Sequence, residues 1–350
     1  MKIKYYNYKN SILFSIHDTS IYRYIIRTTE QQFQNFEQKE IINTEELDFR
    51  VIIGKFKKKS NKAETIIDDK YIIAPNYIYY KDNRKLGKWE IEINNLENNT
   101  LIKVNGNFSG LYTAPLNLIE FFIHYCLIKK NMCLLHAGAV VLNNTGILFS
   151  GRGGSGKTTI TTSLLEQGNK FVSDNFILLK NNFIYNYLCP LNIFYYNNNK
   201  YINERLNLKT KITLKAKYLI YVFTNNYLKI FQKVNPTLIF NNIQDKTYLS
   251  KLIILEPKND LQKIVIEKIQ SKYISKILRH NMELDLMQYN QIILTYGYQY
   301  PNSTMSKFWD AYEKNVVTNL PKNCTYYKLS VPTEFNKNII KDLINKLTNN

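Results

Sequence analysis

Gly151-Arg152-Gly153-Gly154-Ser155-Gly156-Lys157-Thr158 is the segment whose residue types and spacing carry the most chemistry in this chain. It matches G-x-x-x-x-G-K-[ST], a loop in which glycines let consecutive backbone N–H groups curl around a phosphate. A helix beginning at its end adds a positive N-terminus. Lys157 is placed as a point charge for the β- and γ-phosphates of a nucleotide, and the Thr158 hydroxyl as a hard oxygen ligand for Mg²⁺. With Thr159 next in line, residues 151–159 form the candidate nucleotide site. The alternative is a flexible glycine turn. Seven of the chain's 12 glycines fall between 138 and 168, and that concentration argues for the loop.

The elements around the loop must position it. Ala139-Val140-Val141-Leu142, Asn143-Asn144 and Gly146-Ile147-Leu148-Phe149 read as strand, tight turn, strand. A helix follows from about Lys157 to Gln167, stopped by Gly168, and then a strand at Lys170-Phe171-Val172. Further strands are predicted at Leu252–Leu255 and Tyr326–Val331, and helices at Ser271–Met282, Met305–Asn315 and Glu334–Leu347. Upstream, Ser11–Ile16, Asp48–Ile53, Tyr71–Ala74 and Tyr77–Tyr80 are short β-branched or aromatic runs. Trp89-Glu90-Ile91-Glu92-Ile93 alternates, which puts Trp and Ile on one side and Glu on the other, after a hairpin turn at residues 82–87. Leu116, Ile119, Phe122, Ile123 and Cys126 recur at helical spacing, as a linker helix would. The expectation is a β-rich N-terminal domain over residues 1–112 and a mixed α/β domain over residues 113–350.

The flanks of the loop narrow its meaning. Leu134-Leu135-His136-Ala137-Gly138-Ala139-Val140 precedes it, and Gly168-Asn169-Lys170-Phe171-Val172-Ser173-Asp174-Asn175 follows its helix. This combination resembles the HPr kinase/phosphorylase superfamily, above all its HPr-kinase-related peptide kinases of lasso-peptide and similar biosynthetic systems. The resemblance is tight over residues 134–180, loose through Cys189-Pro190-Leu191 to the end, and compatible with the β-rich N-terminal part. It implies a P-loop fold shared with phosphoenolpyruvate carboxykinase, hence an α/β HPr-kinase-like domain behind a β-rich one. It also implies that Asp174 lies near the γ-phosphate and takes the proton of an acceptor serine, with a second acidic residue beside it for the metal. Here that second position is Asn175, whose amide can offer Mg²⁺ an oxygen but no charge, so Asp174 serves metal, proton or both. His136 matches a histidine that could donate to a phosphate oxygen or orient Asp174. The plain alternatives are a satisfied histidine at a strand end and a solvated turn aspartate. An Arg-Gly-Leu-Gly signature is absent from the C-terminal half, which argues against phosphorylase action. Arg152, Arg205 and Arg279 could each supply a charge, and nothing in the sequence selects among them.

Other constellations are weaker. His124-x-Cys126 with Cys133-x-x-His136 offers four soft ligands, but the spacing is irregular and Cys126 falls on the apolar face of a predicted helix. Tyr195-Tyr196 and Tyr296–Tyr300 could stack on bases, yet in a chain with 28 Tyr the simpler reading is packing.

Composition bounds these readings. A chain of 350 residues, 45% of them hydrophobic, has ample material for a core. Four scattered cysteines make no disulfide framework, which implies a reducing, cytoplasmic setting. The start has no apolar segment of signal-peptide type, and the most apolar stretch, Leu116–Ile128, is short and interrupted by Glu120 and His124, so no membrane contact is expected. The net charge of +19 invites nucleic acid as a partner. Only seven of the 47 basic residues are Arg, however, and Lys, Ile, Tyr and Asn (45 residues) are inflated together, the mark of A·T-rich codons. Nucleic acid is therefore disfavoured, while an anionic peptide or protein remains compatible.

The expected function is Mg²⁺-dependent transfer of the γ-phosphoryl group of ATP or GTP to a hydroxyl, a serine of a peptide or small protein. The alternatives are a small-metabolite kinase and a non-catalytic nucleotide-sensing module. The sequence leaves the oligomeric state open, and a homo-oligomer is compatible with it.

Overall fold

The computed structural model describes residues 2–40, 42–59, 64–194, 200–224, 231–259, 261, 263–332, 343 and 346. Along the chain run β1 (Lys2–Tyr8), β2 (Ile12–Asp18), α1 (Arg23–Gln32), β3 (Glu37–Gln38), β4 (Phe49–Ile53), β5 (Thr65–Ile67), β6 (Tyr71–Ala74), β7 (Tyr77–Arg84), β8 (Gly87–Asn94), β9 (Thr100–Gly106) and α2 (Phe108–Lys129). Then follow β10 (Cys133–Leu142), β11 (Thr145–Ser150), α3 (Lys157–Glu166), β12 (Lys170–Ser173), β13 (Phe176–Lys180), β14 (Phe183–Asn186), β15 (Leu191–Ile193), α4 (Lys200–Arg205), α5 (Leu208–Phe223), β16 (Gln232–Val234), β17 (Lys246–Lys258) and β18 (Val265–Lys268). The last are α6 (Ser271–Asp285), α7 (Met287–Gln299), α8 (Phe308–Asn319) and β19 (Thr325–Pro332). The chain is thus mixed α/β with large sheets. It divides into two compact units, Met1–Asn131 with Glu283–Tyr312, and Met132–Met282 with Glu313–Asn350.

The first unit is built on a nine-stranded sheet of order β3-β1-β2-β4-β9-β8-β7-β6-β5. β2, β4 and β9 lie parallel, and β9 through β5 form an antiparallel meander. The turn at Lys85-Leu86 joins β7 to β8 with Arg84 opposite Gly87. An aromatic ladder holds one end of the sheet, with Tyr6 on Phe14 at 4.8 Å and Phe14 on Phe49 at 4.9 Å between ring centroids. In β8, Ile91 and Ile93 point into the core as the alternation predicts, but Glu92 on the opposite side is also fully buried. Its carboxylate accepts from Lys103 at 2.7 Å, the Lys59 N–H at 2.7 Å and Asn94 at 3.1 Å. α1 interrupts a stretch whose sequence reads as strands and turns; its start carries no side-chain cap, so no local signal announces it. α2 begins at Phe108, earlier than its apolar periodicity shows, because Asn107 caps it by accepting from Gly110 N–H at 2.9 Å. α2 is the one described helix long and apolar enough to cross a membrane, and it lies mostly buried in this unit.

The second unit carries the glycine-rich loop. Its sheet runs β11-β10-β13-β14-β17-β19-β18, and β17 also pairs in parallel with β11. The pairings β11–β10–β13–β14–β17–β11 therefore close on themselves. β10 and β11 meet in a two-residue turn where Asn143 (φ 50) and Asn144 (φ 63) adopt the left-handed conformation that hairpins of this length need. Ile160, Leu164 and Leu165 of α3 belong to one buried apolar cluster with Val140, Ile147, Phe149, Leu255 and Leu329. α8 starts at Phe308, not Met305, and β17 extends well beyond Leu252–Leu255 at both ends. Of the helix predicted over Glu334–Leu347, only Leu343 and Lys346 are among the described residues, and Tyr195-Tyr196 lies outside them.

Candidate functional site

β11 ends at Ser150 and α3 starts at Lys157, which leaves six residues to turn from strand to helix. Gly154 (φ 82) and Gly156 (φ 90) take left-handed conformations that side chains oppose. A Cβ on Gly153 or Gly154 would meet nothing within 4 Å, so this flank of the loop is open. The Ser155 Oγ is buried in the loop and has no hydrogen-bond partner among the described residues. Lys157 is itself buried, and its ammonium curls over the loop to donate to the carbonyls of Gly151 at 2.5 Å and Arg152 at 3.2 Å. Thr159 lies one residue further into the first turn of α3, where its carbonyl accepts from Ser163 at 2.8 Å.

Thr158 Oγ1 donates to Asp174 Oδ2 at 2.8 Å. Asp174 and Asn175 form the interruption between β12 and β13, both of which run along β10: β12 opposite Ala139–Val141, β13 opposite Cys133–His136. The break frees Asp174 from the ladder, while the Asn175 carbonyl accepts from Ala137 N–H at 3.0 Å. Asn175 holds φ 92, a conformation asparagine tolerates better than most residues. A Cβ on Gly138 would sit 3.2 Å from Asp174 Oδ1 and 2.9 Å from Thr161 Cγ2, so this glycine leaves the space that the carboxylate occupies. Burial pushes the Asp174 carboxyl above its ordinary pKa; the Thr158 hydroxyl, the Lys157 charge, His136 and the Asn175 N–H pull it back only in part.

His136 sits at the end of the β10–β13 pairing with its ring edge-on to Phe176, 5.8 Å between centroids. Its carbonyl accepts from Ser150 Oγ at 2.9 Å and from Asn281 Nδ2 at 3.3 Å. Asn281, buried on α6, also donates to Ser150 Oγ at 3.2 Å and accepts from the Arg152 guanidinium at its backbone carbonyl (2.9 Å) and its side-chain oxygen (3.1 Å). Sequence reasoning missed both Gly138 as a spacer and Asn281. Gly138 stands within the quoted flank, but Asn281 is one of 45 asparagines with no spacing to mark it.

Other residues weighed as candidates lie elsewhere. Arg205 donates to Tyr201 O and lies 3.6 Å from that ring, and Arg279 pairs with Glu313 at 3.2 Å. His124 is buried in the first unit, where burial, against a small opposing effect of Asp285, holds its pKa down at about 4. Burial likewise pushes the Cys126 thiol up to about 12 and the Cys133 thiol upward. Among the described residues, no three His, Cys, Asp or Glu side chains group as a metal centre would need.

The donor set around the loop suits a nucleotide with its magnesium ion. Open glycine backbone, an ammonium on carbonyls that it can exchange for phosphate oxygens, an orphan hydroxyl and a threonine–carboxylate pair of hard oxygens are what such a group uses.

No protein-family model matches the chain, and no curated protein matches its sequence. Among solved structures it is similar to the Hpr(Ser) kinase/phosphatase from Coxiella burnetii, at 11% identity over 62% of this chain and 88% of that one, with a TM-score of 0.30. So distant a likeness assigns no chemistry, and the functional reading rests on the residues themselves.

Proposed function

We propose that the chain is a Mg²⁺-dependent phosphotransferase that moves the γ-phosphoryl group of ATP or GTP onto a hydroxyl, a serine of a peptide or small protein. The observation that carries this reading is the Thr158–Asp174 hydrogen bond next to the buried Lys157, which gathers phosphate, metal and proton chemistry at one end of α3. The loop amides and Lys157 hold the phosphates, so catalysis is mostly positioning and charge neutralisation. Thr158, Asp174 and Asn175 are the residues that would hold Mg²⁺, which when bound neutralises phosphate charge. Asp174 accepts the acceptor's proton as the new oxygen–phosphorus bond forms and the nucleoside diphosphate leaves. A carboxylate whose pKa burial has raised is a better base than an exposed one. His136 orients Asp174 or donates to a phosphate oxygen.

The test is transfer of γ-labelled phosphate from ATP or GTP to a panel of serine peptides and small polyols, with and without Mg²⁺. Label on serine supports the proposal, and label on a polyol alone makes the chain a metabolite kinase. If nucleotide binds but is never consumed with any hydroxyl acceptor, the chain is a sensing module.

A further inference from the structure

α5 presents its apolar side chains to solvent. Leu208 is 73% exposed, Ile212 58%, Leu219 56% and Phe223 86%, while Leu214 is the buried side chain of the helix. These four recur at i, i+4, i+11 and i+15, with the exposed Ala216 between them, so they form one stripe about 22 Å long. Lys209, Lys211 and Lys215 flank the stripe, whereas Lys217 turns inward and donates to Phe231 O and Gln232 Oε1, both at 2.8 Å. Between Glu204 and Asp245 the sequence has seven Lys and Arg residues and no Asp or Glu. A longer stretch without carboxylates, residues 121–165, is largely buried, whereas here Lys209 and Lys215 stand exposed on the surface of α5.

We propose that α5 docks on an anionic lipid surface, lying in the interface plane with Leu208, Ile212, Leu219 and Phe223 in the acyl boundary and the flanking lysines at the headgroups. A single convex helix offers no groove for a peptide. A second copy of the same stripe would set lysines against lysines. A bilayer accepts both features, because lysine stems cover apolar surface while their ammonium groups stay with the phosphates. No membrane span is involved, and the proposal is independent of the nucleotide reading.

The experiment is co-sedimentation of the full chain with vesicles of phosphatidylcholine alone and of equal parts phosphatidylcholine and phosphatidylglycerol. The expected result is salt-sensitive binding to the anionic vesicles only. Leu219→Ser/Phe223→Ser should weaken it by about tenfold or more, and Lys209→Gln/Lys211→Gln/Lys215→Gln on the order of a hundredfold at low salt. Lys209, Lys215, Leu219 and Phe223 are exposed and Lys211 is half-buried, so circular dichroism should show wild-type folding in both variants. Equal binding to neutral vesicles, or binding indifferent to both variants, overturns the proposal. So does a folded wild type that stays off every vesicle, including one that instead self-associates through the stripe in light scattering.

Discussion

Asp174 is under two opposing demands. Its burial makes the ionised form costly, whereas the proposed chemistry needs that form beside Thr158 and Lys157. Because its folded pKa lies above the unfolded value, the carboxylate costs stability at pH above that unfolded value, and the cost is relieved as pH falls and the proton binds. Asp174→Asn keeps an oxygen for the Thr158 hydroxyl and removes the charge. Without nucleotide it should melt no lower than wild type at pH 7, and any advantage should shrink toward pH 4. Phosphoryl transfer should meanwhile fall by about 10²- to 10⁴-fold. Thermal melts across pH beside single-turnover assays check both halves, and a variant with full turnover refutes the base. Gly138→Ala should act through space: a methyl 3.2 Å from Asp174 Oδ1 pushes the carboxylate from Thr158. Mg²⁺-dependent nucleotide affinity should drop about tenfold while the melting temperature moves by a few degrees at most, and calorimetry that shows unchanged affinity contradicts the spacing role. At this scale the loop was legible because its glycines, lysine and threonine stand at fixed offsets. The contact between Asp174 and Gly138 was not, because it forms across two strands that the sequence separates by 36 residues.

Among the elements, β8 and α6 each carry a polar residue whose pattern misleads. Alternation places Glu92 opposite Ile91 and Ile93, but it is buried on that side too, among Lys59, Tyr77 and Lys103. Burial raises its pKa, yet Lys103, the Lys59 N–H and Asn94 outweigh this and hold it below the ordinary carboxylate range. A depressed folded pKa gives stability that is present above the unfolded pKa and lost as pH falls through the folded one. Glu92→Ala should therefore destabilise the chain by about 3 kcal/mol at neutral pH, and by progressively less below about pH 4. Denaturant titrations at both pH values measure this, and a neutral-pH change under about 0.5 kcal/mol would contradict it. On α6, Asn281→Ala removes the side-chain oxygen that accepts from Arg152 and the amide that donates to Ser150 and the His136 carbonyl, while Arg152 keeps its bond to the backbone carbonyl of residue 281. A cost of about 1–3 kcal/mol and a loss of about fivefold in nucleotide affinity are expected, the latter because the loop loses the side-chain half of its tether to α6. Unaltered affinity in calorimetry would remove Asn281 from the site. The elements that announced themselves had local devices: the Asn143-Asn144 turn, the Gly168 stop and the apolar stripe of α2. α1 has no cap, and Pro115 masks the first turns of α2, so both were obscured.

For the molecule as a whole, what the sequence could not display was long-range pairing. β11 lies parallel to β17 across some hundred residues, and that pairing sets the end of β17 beside the loop, with Leu255 O only 2.9 Å from where a Cβ on Gly151 would stand. No periodicity encodes such a partner choice, whereas the mixed α/β character and the strand-loop-helix around residues 145–166 follow from local pattern. The positive charge of the chain, discounted as compositional background for nucleic acid, acquires a local meaning at α5, where exposed lysines flank exposed apolar side chains. The central claim, a nucleotide held at the loop by Lys157, is tested most directly by calorimetric titration of ATP and GTP with Mg²⁺ into the wild type and Lys157→Ala. Wild type should bind one of them in a Mg²⁺-dependent manner, and the variant, folded by circular dichroism, should lose on the order of a hundredfold in affinity because its point charge on the phosphates is gone. Equal affinity in the two proteins, or no binding to wild type, would contradict the account.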